Sequence, residues 1–132
     1  MWPKGNATQT RAEGDTGYRL RPETVESLFY LHRLTGDRRF RDWGWAIFES
    51  IRQHARLPGG AYASVRGVSR KGNASLRADQ MDTFWMGETL KYFYLLFSDP
   101  DDPDGMPLPL DAWTFNTEAH PLRNAGSYQK TI

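Results

Sequence analysis

The sequence predicts an all-α fold. Three segments repeat apolar residues at the helical period, the first two are separated by a very short turn, and only AYASV (61–65) alternates weakly, as a short strand would. In the first segment, YRLRPETVESLFYLHRLTGD (18–37), Val25, Leu28, Phe29 and His32 recur at i, i+3, i+4 and i+7. Leu31 and Leu34 widen that stripe. Pro22 suits the first turn, where its missing N–H is not needed. Glu23 and Glu26 then sit near the positive end of the helix dipole. Gly36 supplies a C-cap.

The second helix is predicted from Asp37 or Arg38 to about Arg56. Phe40, Trp43, Gly44, Ile47, Phe48 and Ile51 keep the period, Arg39, Asp42, Glu49 and Arg52 take the other face, and Pro58-Gly59-Gly60 ends it. The short join predicts an antiparallel hairpin of helices. A third helix is predicted from about Met81 to Phe97. It is apolar nearly all round, which calls for protein on every side. Two partner helices hardly suffice to cover it, so the chain reads as incomplete. Residues 66–78 read as a polar loop, 98–105 as an acidic turn-rich break, 107–122 as extended, and the last ten residues as frayed.

The chain has 132 residues, near the common size of one domain. Five Trp, six Tyr and seven Phe argue against disorder. The net charge of +1 provides no field for a nucleic-acid backbone or an anionic membrane. No apolar run is long enough for a membrane span, and the N-terminus lacks the apolar core of a signal peptide. The absence of Cys excludes disulfides and a Cys-based zinc site. His32, His54 and His120 show no ligand spacing. The acidic run Asp99–Asp104 lacks the closing Glu of a calcium-binding EF-hand loop and reads as a solvated turn.

Carboxylates carry the chemical interest. Glu23 and Glu26 share a helix face. Glu88 sits inside the most apolar helix, where a carboxylate needs a partner, a metal or a raised pKa. Glu118 follows Asn116 and Thr117 in the extended segment. Converging carboxylates suit glycoside hydrolysis, which needs two carboxyl groups across the scissile bond. They also suit a hard cation, which takes oxygen ligands. A bland alternative makes Glu23 and Glu26 dipole partners, pairs Glu88 with Lys91, and leaves Glu118 at the surface.

The wording of four stretches bears on that choice. RPETVESLFYLHRLTGD (21–37), DWGWAIFESI (42–51), MDTFWMGETLKYFYLLFSD (81–99) and FNTEAHPL (115–122) closely resemble the C-terminal part of class I α-1,2-mannosidases, glycoside hydrolase family 47. The resemblance covers about residues 18–122, with all four motifs in order. It implies part of an (αα)7 barrel, a toroid of helical hairpins, with a short C-terminal β-hairpin. It also implies calcium-dependent, inverting removal of terminal α-1,2-linked mannose from high-mannose N-glycans.

Carried over motif by motif, the resemblance makes Glu23 the general base and gives Arg21 a part in local charge and geometry. Glu26 joins the same acidic floor. Phe84 stacks on the sugar, and Glu88 bonds mannose hydroxyls or a calcium-bound water. Thr117 is the direct calcium ligand, through its carbonyl and hydroxyl oxygens. Glu23, Glu26, Glu88 and Glu118 act on the metal through water. The stretch FWMGE stands where relatives more often read FFLAE, so Trp85 and Gly87 are departures that bear on packing.

The family's catalytic domain is several times longer than this chain. Its general acid lies on upstream helices, so residues 1–132 alone are expected to be inactive. The expected organisation is a polar linker (1–17), the C-terminal portion of the catalytic domain (18–122) and a tail (123–132). The missing N-terminal helices of the barrel are expected partners. The secretory pathway is the expected location: endoplasmic reticulum or Golgi lumen, or secreted. Asn6-Ala7-Thr8 and Asn73-Ala74-Ser75 are glycosylation sequons. Two other functions compete: a glycan-binding quality-control relative in ER-associated degradation, and a non-catalytic helical interaction module.

Overall fold

A computed structural model describes residues 17–68, 77–99 and 108–126. Both sequons, most of the polar linker and acidic run, and the end of the tail lie outside the described residues. Helix α1 spans Glu23–Thr35 and follows Pro22, with Glu23 and Glu26 in its first turn. It stops at Gly36, whose φ of 70° lets its amide turn back to the His32 carbonyl. That backbone favours glycine. Helix α2 spans Arg39–His54. The Asp37 carboxylate accepts the Arg39 backbone N–H at 2.9 Å, occupying one of the donors a helix start leaves open. The three-residue link folds α2 back onto α1.

The third helical segment departs from the expected start near Met81. Its first full turn, Trp85–Thr89, is a π-turn, and only Leu90–Phe97 forms the regular helix α3. The Leu90 amide reaches the Trp85 carbonyl five residues back. Such a turn carries one extra residue and shifts the side chains around the axis. Gly87, a poor helix former, lies within it.

The C-terminal stretch forms a two-stranded antiparallel sheet, β1 (Trp113–Phe115) and β2 (Pro121–Arg123), with Thr114 opposite Leu122. The weak alternation at 61–65 yields only isolated bridges, Arg56 to Tyr62 and Val65 to both Tyr18 and Arg77. Too few residues pair there to make a strand. No helix among the described residues is long and apolar enough to cross a membrane.

The core lies between α1, α3 and the hairpin. Phe29, Tyr92 and Phe115 meet pairwise at 5.7–5.9 Å between ring centres, which ties the hairpin to both helices. Trp85 is fully buried against Tyr62, so the bulk that sets FWMGE apart is absorbed into the core. Helix α2 comes close to α3 at Gly44, where any Cβ would collide with Leu96. At the far end of α3, Arg33 of α1 and Arg41 of α2 donate to the Leu95 and Phe97 carbonyls at 3.0 and 2.8 Å. Cations there also complement the negative end of the helix dipole. Beside them a groove of about 410 Å³ is lined by Phe48, Leu90, Phe93, Tyr94, Phe97 and Ser98.

Candidate active site

The predicted site residues come from three places: the entry and first turn of α1, the π-turn with Phe84 just before it, and the link between β1 and β2. Arg21 and Pro22 lead into α1, so Glu23 projects from its first residue. Arg21 Nη1 lies 3.4 Å from Glu23 Oε1, and its guanidinium covers the Phe84 ring at 5.3 Å. An exposed ion pair of this length holds little energy. Its geometry nevertheless sets Glu23, Arg21 and Phe84 side by side.

Glu26 lies one turn further along α1 and accepts a hydrogen bond from the Tyr92 hydroxyl at 3.2 Å. Burial, followed by the charge on Glu26, pushes the Tyr92 phenol above its usual range. Tyr18 is pushed up to about 12, first by burial and then by Glu23. Both phenols therefore remain neutral donors at physiological pH.

Glu88 sits at the centre electrostatically. Its carboxyl is raised above the ordinary glutamate range, first by partial burial and then by Glu118, Glu23 and Glu26, with Lys91 acting the other way. Glu118, Glu23 and Glu26 thus lie near enough to Glu88 to act on its charge. The bland pairing of Glu88 with Lys91 does not form as a contact: Lys91 Nζ donates instead to the Ala119 carbonyl at 2.8 Å.

The link 116–120 is organised by Asn116. Its side-chain oxygen accepts the backbone N–H groups of Glu118 and His120 at 3.0 and 2.9 Å. The Ala119 amide returns to the Asn116 carbonyl, and Ala119 adopts a left-handed φ of 56°. Thr117 stands exposed at the head of this turn. Neither its hydroxyl nor its carbonyl oxygen is bonded to another described residue. Among the described residues no three acidic or histidine side chains gather closely enough to hold a metal directly. The two Thr117 oxygens, left without a partner among the described residues, are of the hard-donor type that a cation such as calcium takes, and the oxygen-only chemistry of the nearby carboxylates fits the same ion.

Residues 1–124 match the family model of glycosyl hydrolase family 47. The chain belongs to that family. It is 56% identical over 103 residues to human endoplasmic reticulum mannosyl-oligosaccharide 1,2-alpha-mannosidase, covering 78% of this chain and 14% of the relative. The enzyme of the same name from Schizosaccharomyces pombe is 51% identical over 106 residues, covering 80% of this chain and 19% of the relative. The solved alpha-1,2-mannosidase from Trichoderma reesei superposes with a TM-score of 0.70 at 39% identity, over 82% of this chain and 22% of that one. This family member therefore spans less than a fifth of those two curated relatives.

Four neighbours of the candidate site carry no sequence signature that marks them as site groups, or only a local one: Tyr18, Tyr92, Thr89 and Asn116. An Asn two residues before a Glu is a common turn signal, so Asn116 had a local signature. Tyr92 and Thr89 had none, because their partners are 66 and 69 residues away.

Proposed function

We propose that residues 18–122 are the C-terminal portion of a family 47 catalytic domain, one sector of an (αα)7 barrel. Its activity would be removal of terminal α-1,2-linked mannose from high-mannose N-glycans in the secretory pathway, in the endoplasmic reticulum or Golgi lumen or outside the cell. What supports this reading is the family match over residues 1–124, together with Arg21 lying against both Glu23 and Phe84.

In this reading Glu23 takes a proton from the attacking water. Its exposed position leaves room for that water, as inversion requires. Phe84 offers an apolar face to the sugar ring, and Arg21, touching both Phe84 and Glu23, sets the base beside it. Glu88 and Glu118 accept hydrogen bonds from sugar hydroxyls or ordered waters. Calcium, when bound, would supply a grip on hydroxyl and water oxygens, with Thr117 as its protein ligand.

An inverting reaction needs an acid as well as a base, and the resemblance assigns only the base to this chain. Residues 1–132 alone are therefore expected to release no mannose. The test is a chimera in which residues 18–122 replace the matching part of the Trichoderma reesei enzyme. It should release mannose from a high-mannose glycan in the presence of calcium. Glu23→Gln in the chimera should lower kcat by about a hundredfold or more, the scale of a lost general base. A folded, inactive chimera, or full activity with Glu23→Gln, contradicts the proposal.

A further inference from the structure

Leu20 and Ala119 are the two non-glycine residues with positive φ among those described, at 61° and 56°. Alanine and leucine carry a Cβ that this backbone disfavours, and such positions persist only where their surroundings fix them. Both are completely buried. Each borders a site segment: Leu20 immediately precedes Arg21-Pro22-Glu23, and Ala119 immediately follows Thr117-Glu118.

Their carbonyls share a second feature. The Thr89 hydroxyl donates to the Leu20 carbonyl at 2.6 Å, from a fully buried position. The Lys91 ammonium donates to the Ala119 carbonyl at 2.8 Å. Thr89 closes the π-turn, and Lys91 is the second residue of α3. They flank Leu90 and follow directly on Glu88. One short stretch of helix thus supplies Glu88 and grips the backbone on both sides of it.

We propose that Thr89 and Lys91 are positioning residues, a two-point clamp that holds the Glu23 segment and the Thr117–Glu118 turn in fixed spacing about Glu88. The π-turn contributes to this arrangement by advancing the side chains that follow Glu88 around the helix axis. Neither residue touches a reacting atom. The clamp rests on the site reading above only for its consequence. Its existence is a property of the metal-free fold.

The decisive experiment is amide hydrogen exchange on the metal-free 132-residue chain. Thr89→Val should speed exchange at the Tyr18 and Glu26 amides about fivefold, the scale of one net hydrogen bond, and leave Glu118, Ala119 and His120 unchanged. Lys91→Met should do the reverse. Thr89→Ser and Lys91→Arg, which keep a donor, should restore protection. Uniform acceleration of both segments is what a merely structural role produces, and it overturns the clamp, as does no change in either. Lys91 is only half-buried, so Lys91→Met decides the matter even where Thr89→Val fails to fold. A terbium titration separates the two ideas. Lys91→Met should weaken binding about tenfold, the lower range for a supporting residue, with Lys91→Arg recovering it. A wild-type chain that binds no terbium overturns the calcium reading, and the exchange pattern still decides the clamp.

Discussion

The two ends of the third helical segment do different work. Its first half, Phe84 to Lys91, carries polar and aromatic groups whose bonds run to distant backbone: Thr89 to Leu20 and Lys91 to Ala119. Its second half, Tyr92 to Phe97, is almost wholly apolar. It buries Tyr92, Phe93, Leu95 and Leu96, while Tyr94 stays 52% exposed. The first half spends helix regularity on geometry, with a π-turn and two left-handed neighbours. The second keeps regular winding and is held by ordinary packing and two arginine contacts at its end. A single helix can thus be irregular where it bonds to distant backbone and regular where packing holds it.

The difference breaks most readily at the apolar end. Gly44 lets α2 approach Leu96, and a side chain there must displace the buried Leu96 side chain. Gly44→Val should cost about 1–3 kcal/mol, the usual range for overpacking, measured by denaturant unfolding. At the site end a glycine should behave oppositely. A Cβ at Gly87 meets nothing within 4 Å, so Gly87→Ala should stabilise the chain by up to about 1 kcal/mol through helix propensity. That pair of opposite signs sharpens the contrast between a glycine that a neighbouring helix packs against and one that faces open space.

The smallest expected effect concerns pH. Glu88 is raised in the folded chain by burial and by its carboxylate neighbours. Below the ordinary glutamate range it is protonated whether folded or unfolded and contributes nothing. As pH rises, the unfolded chain ionises first, so Glu88 makes folding progressively less favourable until its own folded pKa is passed. In the metal-free chain, Glu88→Gln should therefore melt slightly higher than wild type at pH 7. The gap should close by about pH 3, where both states are protonated.

Much of this was legible in the sequence wherever the signal was periodic. The apolar stripe of Val25, Leu28 and Phe29 and the stop at Gly36 marked α1, and the period from Phe40 to Ile51 marked α2. The period also placed Leu34 on the core stripe, yet it lies exposed at the last turn. A stripe follows the helix and cannot know where the neighbouring surface ends. The third helix shows a second limit. Trp85 and Met86 look equally apolar, yet the first is buried and the second exposed. The Asn116 turn was within reach of local reasoning. The Arg21–Phe84 contact and the bonds from Thr89, Lys91 and Tyr92 were not, because each joins segments far apart in the chain and leaves no spacing to read.

The family resemblance assigns roles to Glu23, Glu88, Thr117 and Glu118, which lie on the first turn of α1, the π-turn and the β1–β2 link. Calcium binding tests that arrangement most directly. A titration of the 132-residue chain should show saturable calcium binding that Thr117→Ala abolishes, with the melting behaviour of the metal-free protein unchanged. Binding that survives Thr117→Ala undiminished, or a folded wild-type chain that takes up no calcium, would contradict it.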